Sequence, residues 1–380
     1  MIHSERLTRT FLALTAIDSE TYHERAMADH LKECLTALGI SVEEDGVGEL
    51  LREESGNKEP HPAGNLIARL PGTLPGDPIL FCSHMDTVKP GVGKKAILHE
   101  DGTITSSGDT VLGADDAAGL AEILEMLTVL VEEDLPHRDL EIVFPVAEEL
   151  FTRGSKNLDY SKLRAKDAYI LDLSGPVGAA AWAAPSILAF EAVIHGKSAH
   201  AGFAPETGVH AVRIAADAIA RIDNGHVDEN TTVNVATIHG GILRNVVPDE
   251  VVVTGEARSL DHDRAEQELE KIGVIFREAA EALGGTVDYT TFECDHAYRT
   301  PPDAPVVRRF QRACEELGFE PVLQNTFGGS DNNRFALHGI QGIVLACAMN
   351  DVHSTAEWTS VSELTKAAEI ILKIATLEDF

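Results

Sequence analysis

The sequence predicts an α/β protein, in which helices flank a mixed, largely parallel sheet and a smaller α+β unit is inserted. Apolar runs of strand length alternate with amphipathic helical segments in the first and last parts of the chain, which is typical of parallel sheets. From residue 185 to 297 the order changes to strand, helix, two strands, helix and strand, which indicates a separate unit. We therefore expect a main domain in two parts, 1–184 and 298–380, around an insert at 185–297.

The composition limits the partners and the compartment. The chain has 31 basic and 62 acidic side chains, a formal net charge of -31, which repels nucleic acids and anionic membranes. We therefore expect neither as a partner. Five cysteines without a Cys-x-x-Cys spacing favour a reducing compartment over a disulfide framework. With no apolar run of membrane-spanning length, the prediction is a soluble, cytoplasmic protein.

The first part of the main domain is predicted to begin with two helices and two strands. Helical periodicity over residues 4–38 is broken at residues 16–20, so two helices are expected. Residues 64–70 alternate like a strand, and the apolar run from Ile79 predicts a buried one. A long apolar helix then begins at Asp115–Asp116. The second of these carboxylates is able to cap the helix, which leaves the first free to point elsewhere.

Several apolar runs end on side chains that can bind a metal. The run from Ile79 ends at His84, and Asp86 follows two residues later, on the same side of an extended backbone. Later runs end at Glu148–Glu149, at Asp172 and at His353. Because ligands gather beyond the carboxyl ends of parallel strands, we expect these side chains to lie close together.

Taken singly, each signal has an ordinary structural explanation. His84 and Asp86 are also compatible with a loop histidine and a capping aspartate, and two adjacent glutamates are typical of a solvated strand end. Pro145 predicts that the strand before Glu148 stops or kinks there. Neighbouring residues of an extended chain alternate sides, so one of Glu148 and Glu149 is expected to bind a metal and the other to act as a general base.

Taken together, two imidazoles and three carboxylates are a plausible ligand set for two zinc ions with one bridging carboxylate: His84, Asp115, Glu149, Asp172 and His353. Two divalent ions are balanced by three carboxylates and one hydroxide. A pair of metals about 3.5–4 Å apart can activate a water molecule and polarise the carbonyl that it attacks. The set therefore predicts a hydrolase.

Seven segments follow, in order, the motifs of the co-catalytic zinc peptidase family that includes peptidase T, carboxypeptidase G and the aminoacylases. They are residues 84–86, 113–116, 147–149, 172, 196–202, 245–249 and 353–357. The match spans nearly the whole chain. The chain most closely resembles the peptidase T branch, the tripeptide aminopeptidases, through residues 108–116 and the motif at His353.

The resemblance implies a division of the ligands between two zinc ions, for which Co²⁺ or Mn²⁺ could substitute. Asp115 would bridge the metals, with His84 and Asp172 on one ion and Glu149 and His353 on the other. The resemblance further implies that the insert is a ferredoxin-like lid and dimerisation domain. A homodimer is therefore the expected assembly.

The resemblance also implies roles for five other residues. Asp86 would orient the neighbouring histidine, and Glu148 would be the base. His200 would stabilise the oxyanion, within one chain or across a dimer, and Asn245 and Arg258 would contact the substrate. Arg258 could equally pair with an acidic group.

Two departures from the family bear on the substrate. Ala117 stands where peptidase T relatives often carry lysine, and residues 328–334 only loosely follow the family's Gly-Gly-x-Asp loop. Arg334, at the end of that loop, would bind a substrate carboxylate or form a surface ion pair.

Three functions are compatible with these observations. The first is a zinc aminopeptidase for short peptides. The second is a related amidohydrolase, a carboxypeptidase or an N-acyl-amino-acid deacylase, which shares the metal chemistry but anchors the other end of the substrate. The third is a catalytically silent metal-binding protein, but the presence of Glu148 and of all five ligands argues against it.

Overall fold

The computed structural model describes residues 1–56 and 62–378, which divide into two compact units. The first unit contains Met1–Ala183, Arg299–Thr326 and the residues from Ser330 onwards. The second contains Ala184–Tyr298 together with Phe327–Gly329. The predicted fold class, an α/β domain with an inserted α+β unit, is confirmed.

The elements of the described residues are numbered in chain order. The helices are α1 (Ser4–Thr15), α2 (Arg25–Ala37), α3 (Val47–Ser55), α4 (Ala114–Glu132), α5 (Arg153–Lys156), α6 (Ala211–Arg221), α7 (His262–Ala282), α8 (Pro305–Leu317), α9 (Asn332–Leu337) and α10 (Val361–Thr376). The strands are β1 (Ser41–Glu44), β2 (Leu66–Leu70), β3 (Ile79–Cys82), β4 (Ala96–Leu98), β5 (Thr103–Ser106), β6 (Leu140–Phe144), β7 (Asp167–Ser174), β8 (Ala179–Ala184), β9 (Ser186–His195), β10 (Gly225–Asp228), β11 (Thr231–Gly240), β12 (Glu250–Ser259), β13 (Thr286–Asp295), β14 (Tyr298–Arg299), β15 (Val322–Asn325), β16 (Gln341–Met349) and β17 (Trp358–Ser360).

A nine-stranded sheet forms the centre of the first unit, in the order β1-β2-β6-β3-β7-β16-β8-β14, with β15 beside β8. Its four inner strands, β6, β3, β7 and β16, run parallel to one another. β6 ends at Phe144, directly before Pro145, as the missing amide hydrogen of proline predicts. The carboxyl ends of the four parallel strands therefore meet at one edge of the sheet.

Helices cover both faces of the inner strands, which explains why the residues of these strands are mostly apolar and do not alternate between apolar and polar. In β3, Ile79 and Phe81 join one buried cluster, while Leu80 and Cys82 join another on the opposite face. α4 is buried along most of its length and packs against α1 and α10. This core fixes the helix that carries Asp115 in its first turn.

The second unit is a five-stranded antiparallel sheet in the order β10-β11-β12-β9-β13, packed against α6 and α7. Without β10, its strands follow the ferredoxin-like arrangement that the sequence predicts. β10 was not predicted, because this edge strand has only four residues and is largely exposed. Among the described residues, no helix combines the length and the apolar character that crossing a bilayer requires.

Candidate metal centre

The candidate centre lies beyond the carboxyl ends of the parallel strands of the first unit. β3 leads to His84, β6 to Glu148 and Glu149, β7 carries Asp172 near its end, β16 leads to His353, and Asp115 stands in the first turn of α4. The structure thus brings the five predicted ligands and the predicted base to one place.

Asp115 lies between the two imidazoles. Its Oδ1 is 3.0 Å from Nε2 of His84, and its Oδ2 is 3.2 Å from Nε2 of His353. Because each oxygen faces a different ring, this buried carboxylate has the geometry of a bridging ligand. The peptide bond that joins it to Asp116 is cis.

One further carboxylate accompanies each imidazole. Glu149 Oε2 lies 3.0 Å from Nε2 of His353, and Asp172 Oδ1 lies 3.9 Å from Nε2 of His84. Zinc–ligand bonds of about 2.0–2.2 Å place the ligands of a tetrahedral site about 3.3 Å apart, close to these separations. The side chain of His353 is 53% exposed, so the centre is open on its side.

Negative charge is in excess within the centre. Burial, together with the charge of Asp172, raises the pKa of Glu148 well above its usual value. Burial opposes ionisation of Asp115 too, but hydrogen bonds from His353 and His84 hold its pKa below the usual range. Hydrogen bonds to Asp115 and Glu149 raise the pKa of His353 to about 10.

The donor set fits a pair of divalent cations. Imidazole and carboxylate are ligands that zinc, cobalt and manganese accept, and cations offset the excess of buried acids. Oε1 of Glu149 is buried and has no hydrogen-bond partner among the described residues, as expected of an oxygen that a metal would contact.

Asp86 connects the two sides of the centre. Its Oδ1 lies 3.4 Å from Nδ1 of His84 and accepts a hydrogen bond from the amide of Glu148 at 2.9 Å. Its Oδ2 accepts hydrogen bonds from the amide of Glu149 at 3.2 Å and from Oγ1 of Thr21 at 2.8 Å. One fully buried carboxylate therefore positions an imidazole and the backbone of Glu148 and Glu149.

Glu24 holds the backbone one residue earlier, at Ala147. Its Oε1 accepts hydrogen bonds from the amides of Ala147 at 3.1 Å and Tyr22 at 2.9 Å. Ala147, at φ +51°, has a left-handed conformation that few residues other than glycine adopt. Burial, together with the charge of Asp86, raises the pKa of Glu24 to about 8. Sequence reasoning missed Glu24, because it lies in the short link between two helices and belongs to no motif.

Glu357 and Asp116 hold the segment that carries Asp115. Glu357 is buried, and its two oxygens accept hydrogen bonds from the amides of Gly113 at 2.7 Å and Asp115 at 2.9 Å. Burial raises its pKa to about 7. Glu357 closes the motif that begins at His353, but the sequence did not indicate its role. Asp116 caps α4 by accepting the amide of Gly119 at 3.2 Å.

The three predicted substrate residues lie in the second unit. Nδ1 of His200 accepts hydrogen bonds from the amides of Gly202 and Phe203 at 3.1 and 3.2 Å. This assigns the proton of a neutral His200 to Nε2. Asn245 is exposed. Arg258 donates from Nε to Oε1 of Glu256 at 2.7 Å, which is the acidic pairing that the sequence also allowed.

Arg334 lies in the first unit and is not on the surface. It is only 5% exposed, and its Nε donates to Oγ1 of Thr152 at 2.8 Å. The surface ion pair that the sequence allowed for Arg334 is therefore wrong.

Two family models match separate parts of the chain. One, described as a peptidase dimerisation domain, matches residues 183–283, and the other, described as peptidase family M28, matches residues 65–175. Among curated proteins, the uncharacterized protein YqjE of Bacillus subtilis is 39% identical over 98% of each chain. Peptidase T of Enterococcus faecalis is 26% identical over 96% of this chain and 94% of its own.

Solved structures extend the likeness to the whole fold. A tripeptidase from Staphylococcus aureus superposes with a TM-score of 0.93 at 36% identity, covering 99% of this chain and 98% of its own. The aminopeptidase PepT of Bacillus cereus gives a TM-score of 0.88 at 41% identity, with the same coverage. A dinuclear metal-binding peptidase of the M20 family from B. subtilis shares the fold, with a TM-score of 0.72 at 16% identity and coverage of 98% and 97%. The chain therefore belongs to the M20 family of metallopeptidases, in the branch that contains peptidase T.

Proposed function

We propose that this protein is a di-zinc aminopeptidase that hydrolyses the N-terminal peptide bond of short peptides, tripeptides above all. The observation that carries the proposal is the placement of Asp115 between His84 and His353, with a carboxyl group beside each ring and a further glutamate, Glu148, next to them. The tripeptidase and aminopeptidase likenesses support the choice of substrate.

Five side chains would hold the metals: His84 and Asp172 one ion, Glu149 and His353 the other, and Asp115 both. When bound, the two ions supply a Lewis acid for the substrate carbonyl and lower the pKa of the attacking water. Zinc is proposed because the set mixes imidazoles and carboxylates; cobalt or manganese would substitute.

Glu148 is proposed as the general base. Asp86 fixes its backbone amide, so its side chain has a defined position beside Asp172 and His84. It would take the proton of the attacking water and deliver it to the leaving amine. A carboxyl group that performs both transfers must not be a permanent metal ligand.

His200, Asn245 and Arg258 are proposed to contact the substrate. Because Nδ1 of His200 accepts two amide hydrogens, its Nε2–H can donate to the oxyanion that forms on the substrate carbonyl. Arg258 is oriented by Glu256 and by the carbonyl of Phe327, at 2.9 Å.

The second unit is proposed as a lid and dimerisation domain, which its match to the peptidase dimerisation model supports. Sedimentation equilibrium should give the mass of a homodimer, and a monomeric mass at micromolar concentration would contradict this. We also propose a cytoplasmic location, since the five cysteines form no disulfide with one another. Cell fractionation tests it.

Replacing the proposed base tests the mechanism. Glu148→Gln keeps the shape of the side chain but cannot accept the proton, so kcat on a tripeptide should fall at least about 100-fold. Metal content should equal that of the unaltered protein, which separates loss of the base from loss of a ligand. Glu100→Gln, an exposed site of the first unit, is the matched control. An active Glu148→Gln enzyme would place the base elsewhere.

Blocking each end of a tripeptide tests the substrate assignment. An aminopeptidase should lose activity on the N-acetylated peptide and keep activity on the C-terminal amide. The reverse pattern would favour the carboxypeptidase, and rapid removal of the acetyl group from an N-acetyl amino acid would favour the deacylase.

A further inference from the structure

We propose a second metal site, separate from the catalytic centre, formed by His262, Glu293 and His296 of the second unit. Each of these residues offers one ligand atom, and the three atoms lie within 4.8 Å of one another. Two imidazoles and a carboxylate are a ligand set for a divalent transition metal such as Zn²⁺. The site is independent of the proposed peptidase activity, because it shares no residue with the catalytic centre.

The site joins two elements of the second unit. His262 is the first residue of α7, Glu293 lies near the end of β13, and His296 directly follows that strand. The two imidazole rings lie 4.0 Å apart between centroids, with planes inclined by 30°. His296 Nδ1 is 3.1 Å from Oε1 of Glu293, and His262 Nε2 is 3.5 Å from Oε1 of Glu266.

A buried serine orients one of the rings. Ser186 Oγ, at the start of β9, accepts the amide hydrogen of Ala297 at 2.8 Å and lies 2.9 Å from Nδ1 of His262. With the proton on Nδ1, His262 donates to the second lone pair of Ser186 Oγ. Nε2 then keeps its lone pair on the side of Glu266. Such a hydrogen bond on the far nitrogen is typical of metal-binding histidines.

Local ion pairs alone do not account for the arrangement. His262 and Glu266 are four residues apart on one helix, and Glu293 and His296 are three residues apart at the end of a strand. Closeness in the sequence therefore explains each pair by itself. It does not explain why the two imidazole rings also lie 4.0 Å apart, with a carboxylate beside each. A cation coordinated by the neutral forms of both rings would join the two pairs into one site.

The ligand atoms must move closer together to bind an ion. Ligand atoms at most 4.8 Å apart must approach to about 3.3 Å for a tetrahedral zinc. The side chains of His262, His296 and Glu293 are 22%, 32% and 45% exposed, so rotamer changes achieve this without displacing the backbone. Imidazole ligands favour Zn²⁺, Ni²⁺ and Cu²⁺ over Mg²⁺ and Ca²⁺. The bound ion would link the first turn of α7 to the end of β13.

Counting bound zinc tests the site. We expect equilibrium dialysis of the folded protein against Zn²⁺, followed by metal analysis, to give three ions per chain. His262→Gln and His296→Gln should each reduce the count to two and leave peptidase activity unchanged. The control His239→Gln removes an exposed histidine of the same unit and should keep three ions. Two ions in the unaltered protein, or three in both site variants, would overturn the proposal.

A crystallographic measurement covers the case in which a variant fails to fold. Crystals of the unaltered protein soaked in Zn²⁺ should show an anomalous peak between the rings of His262 and His296. A tenfold excess of Mg²⁺ should not displace it. Anomalous peaks at the catalytic centre and none between these two rings would exclude the second metal site. A peak between the rings and none at the catalytic centre would count against the proposed catalytic centre alone.

Discussion

Two buried carboxylates hold three successive amides next to the candidate centre. Glu24 accepts the amide of Ala147, and Asp86 accepts those of Glu148 and Glu149. These hydrogen bonds take the place of the strand pairing that ends with β6, and they fix Ala147, whose φ is positive. The direction of the Glu148 and Glu149 side chains thus depends on two residues outside the proposed ligand set.

Truncation of Glu24 should therefore reduce turnover without removing a ligand. Glu24→Ala leaves the amides of Tyr22 and Ala147 unpaired in a buried site, at a cost of about 1–3 kcal/mol in stability. We expect kcat to fall about tenfold while KM changes little. Glu24→Gln keeps an acceptor oxygen and should restore most of kcat in steady-state assays. Equal loss in both variants would show that the charge of Glu24, not its hydrogen bonds, matters.

At the residue level, the sequence predicted which side chains would gather at the candidate centre, and it predicted Asp86 beside His84, but it did not predict the more distant supports Glu24 and Thr21. His84, Glu149 and Asp172 each follow an apolar run, and the carboxyl ends of parallel strands converge whatever the details of the loops. Glu24 and Thr21 act on residues more than sixty positions away. No local pattern marks such a contact, because only the folded chain brings the partners together.

At the level of elements, α4 contains an unexplained buried acid. Glu122 is fully buried, and neither of its carboxyl oxygens has a hydrogen-bond partner among the described residues. Burial raises its pKa well above the ordinary 4.5, so the folded protein keeps this proton after the unfolded chain has lost it. The folded state therefore becomes relatively less stable as the pH rises above 4.5.

Replacing this acid with an apolar residue should stabilise the protein. We expect Glu122→Leu to raise the free energy of unfolding by about 1–3 kcal/mol near neutral pH, because an unpaired polar group leaves the core. The gain should be larger at pH 8 than at pH 5, as measured by urea denaturation. Glu132→Leu, at the exposed end of the same helix, should change stability by less than about 1 kcal/mol. A destabilised Glu122→Leu protein would indicate an essential partner for the acid.

The order of the elements was largely predictable, and some details were not. Pro145 correctly predicted the end of β6, since proline has no amide hydrogen to donate to a neighbouring strand. β10 was not predicted, because an exposed edge strand of four residues has no apolar face that the sequence pattern could indicate. Pairing order in the sheets likewise depends on contacts between distant segments, which a single sequence does not display.

At the level of the whole molecule, the catalytic ions should contribute to stability as well as to chemistry. The buried acids around Asp115 repel one another when no cation separates them. Any ligand that binds only the folded state stabilises it, by about 4 kcal/mol at a thousand times its dissociation constant.

Removal of the metals should accordingly abolish activity and lower the melting temperature. Treatment with a chelator, followed by calorimetry and a tripeptide assay, measures both effects. Zn²⁺ or Co²⁺ should restore them, whereas Mg²⁺, which prefers all-oxygen sites, should not. A chelated protein with full activity and an unchanged melting temperature would contradict the proposed centre.

The first unit is discontinuous in the chain, and this orders events during synthesis. Asp172 leaves the ribosome about 180 residues before His353, and the whole second unit is translated between them. At about 5–20 residues per second, the nascent chain spends roughly 10–35 s with four of the five proposed ligands made and the last one missing. The second unit can fold within that interval, but the proposed centre stays incomplete until β16 and the histidine beyond it have emerged.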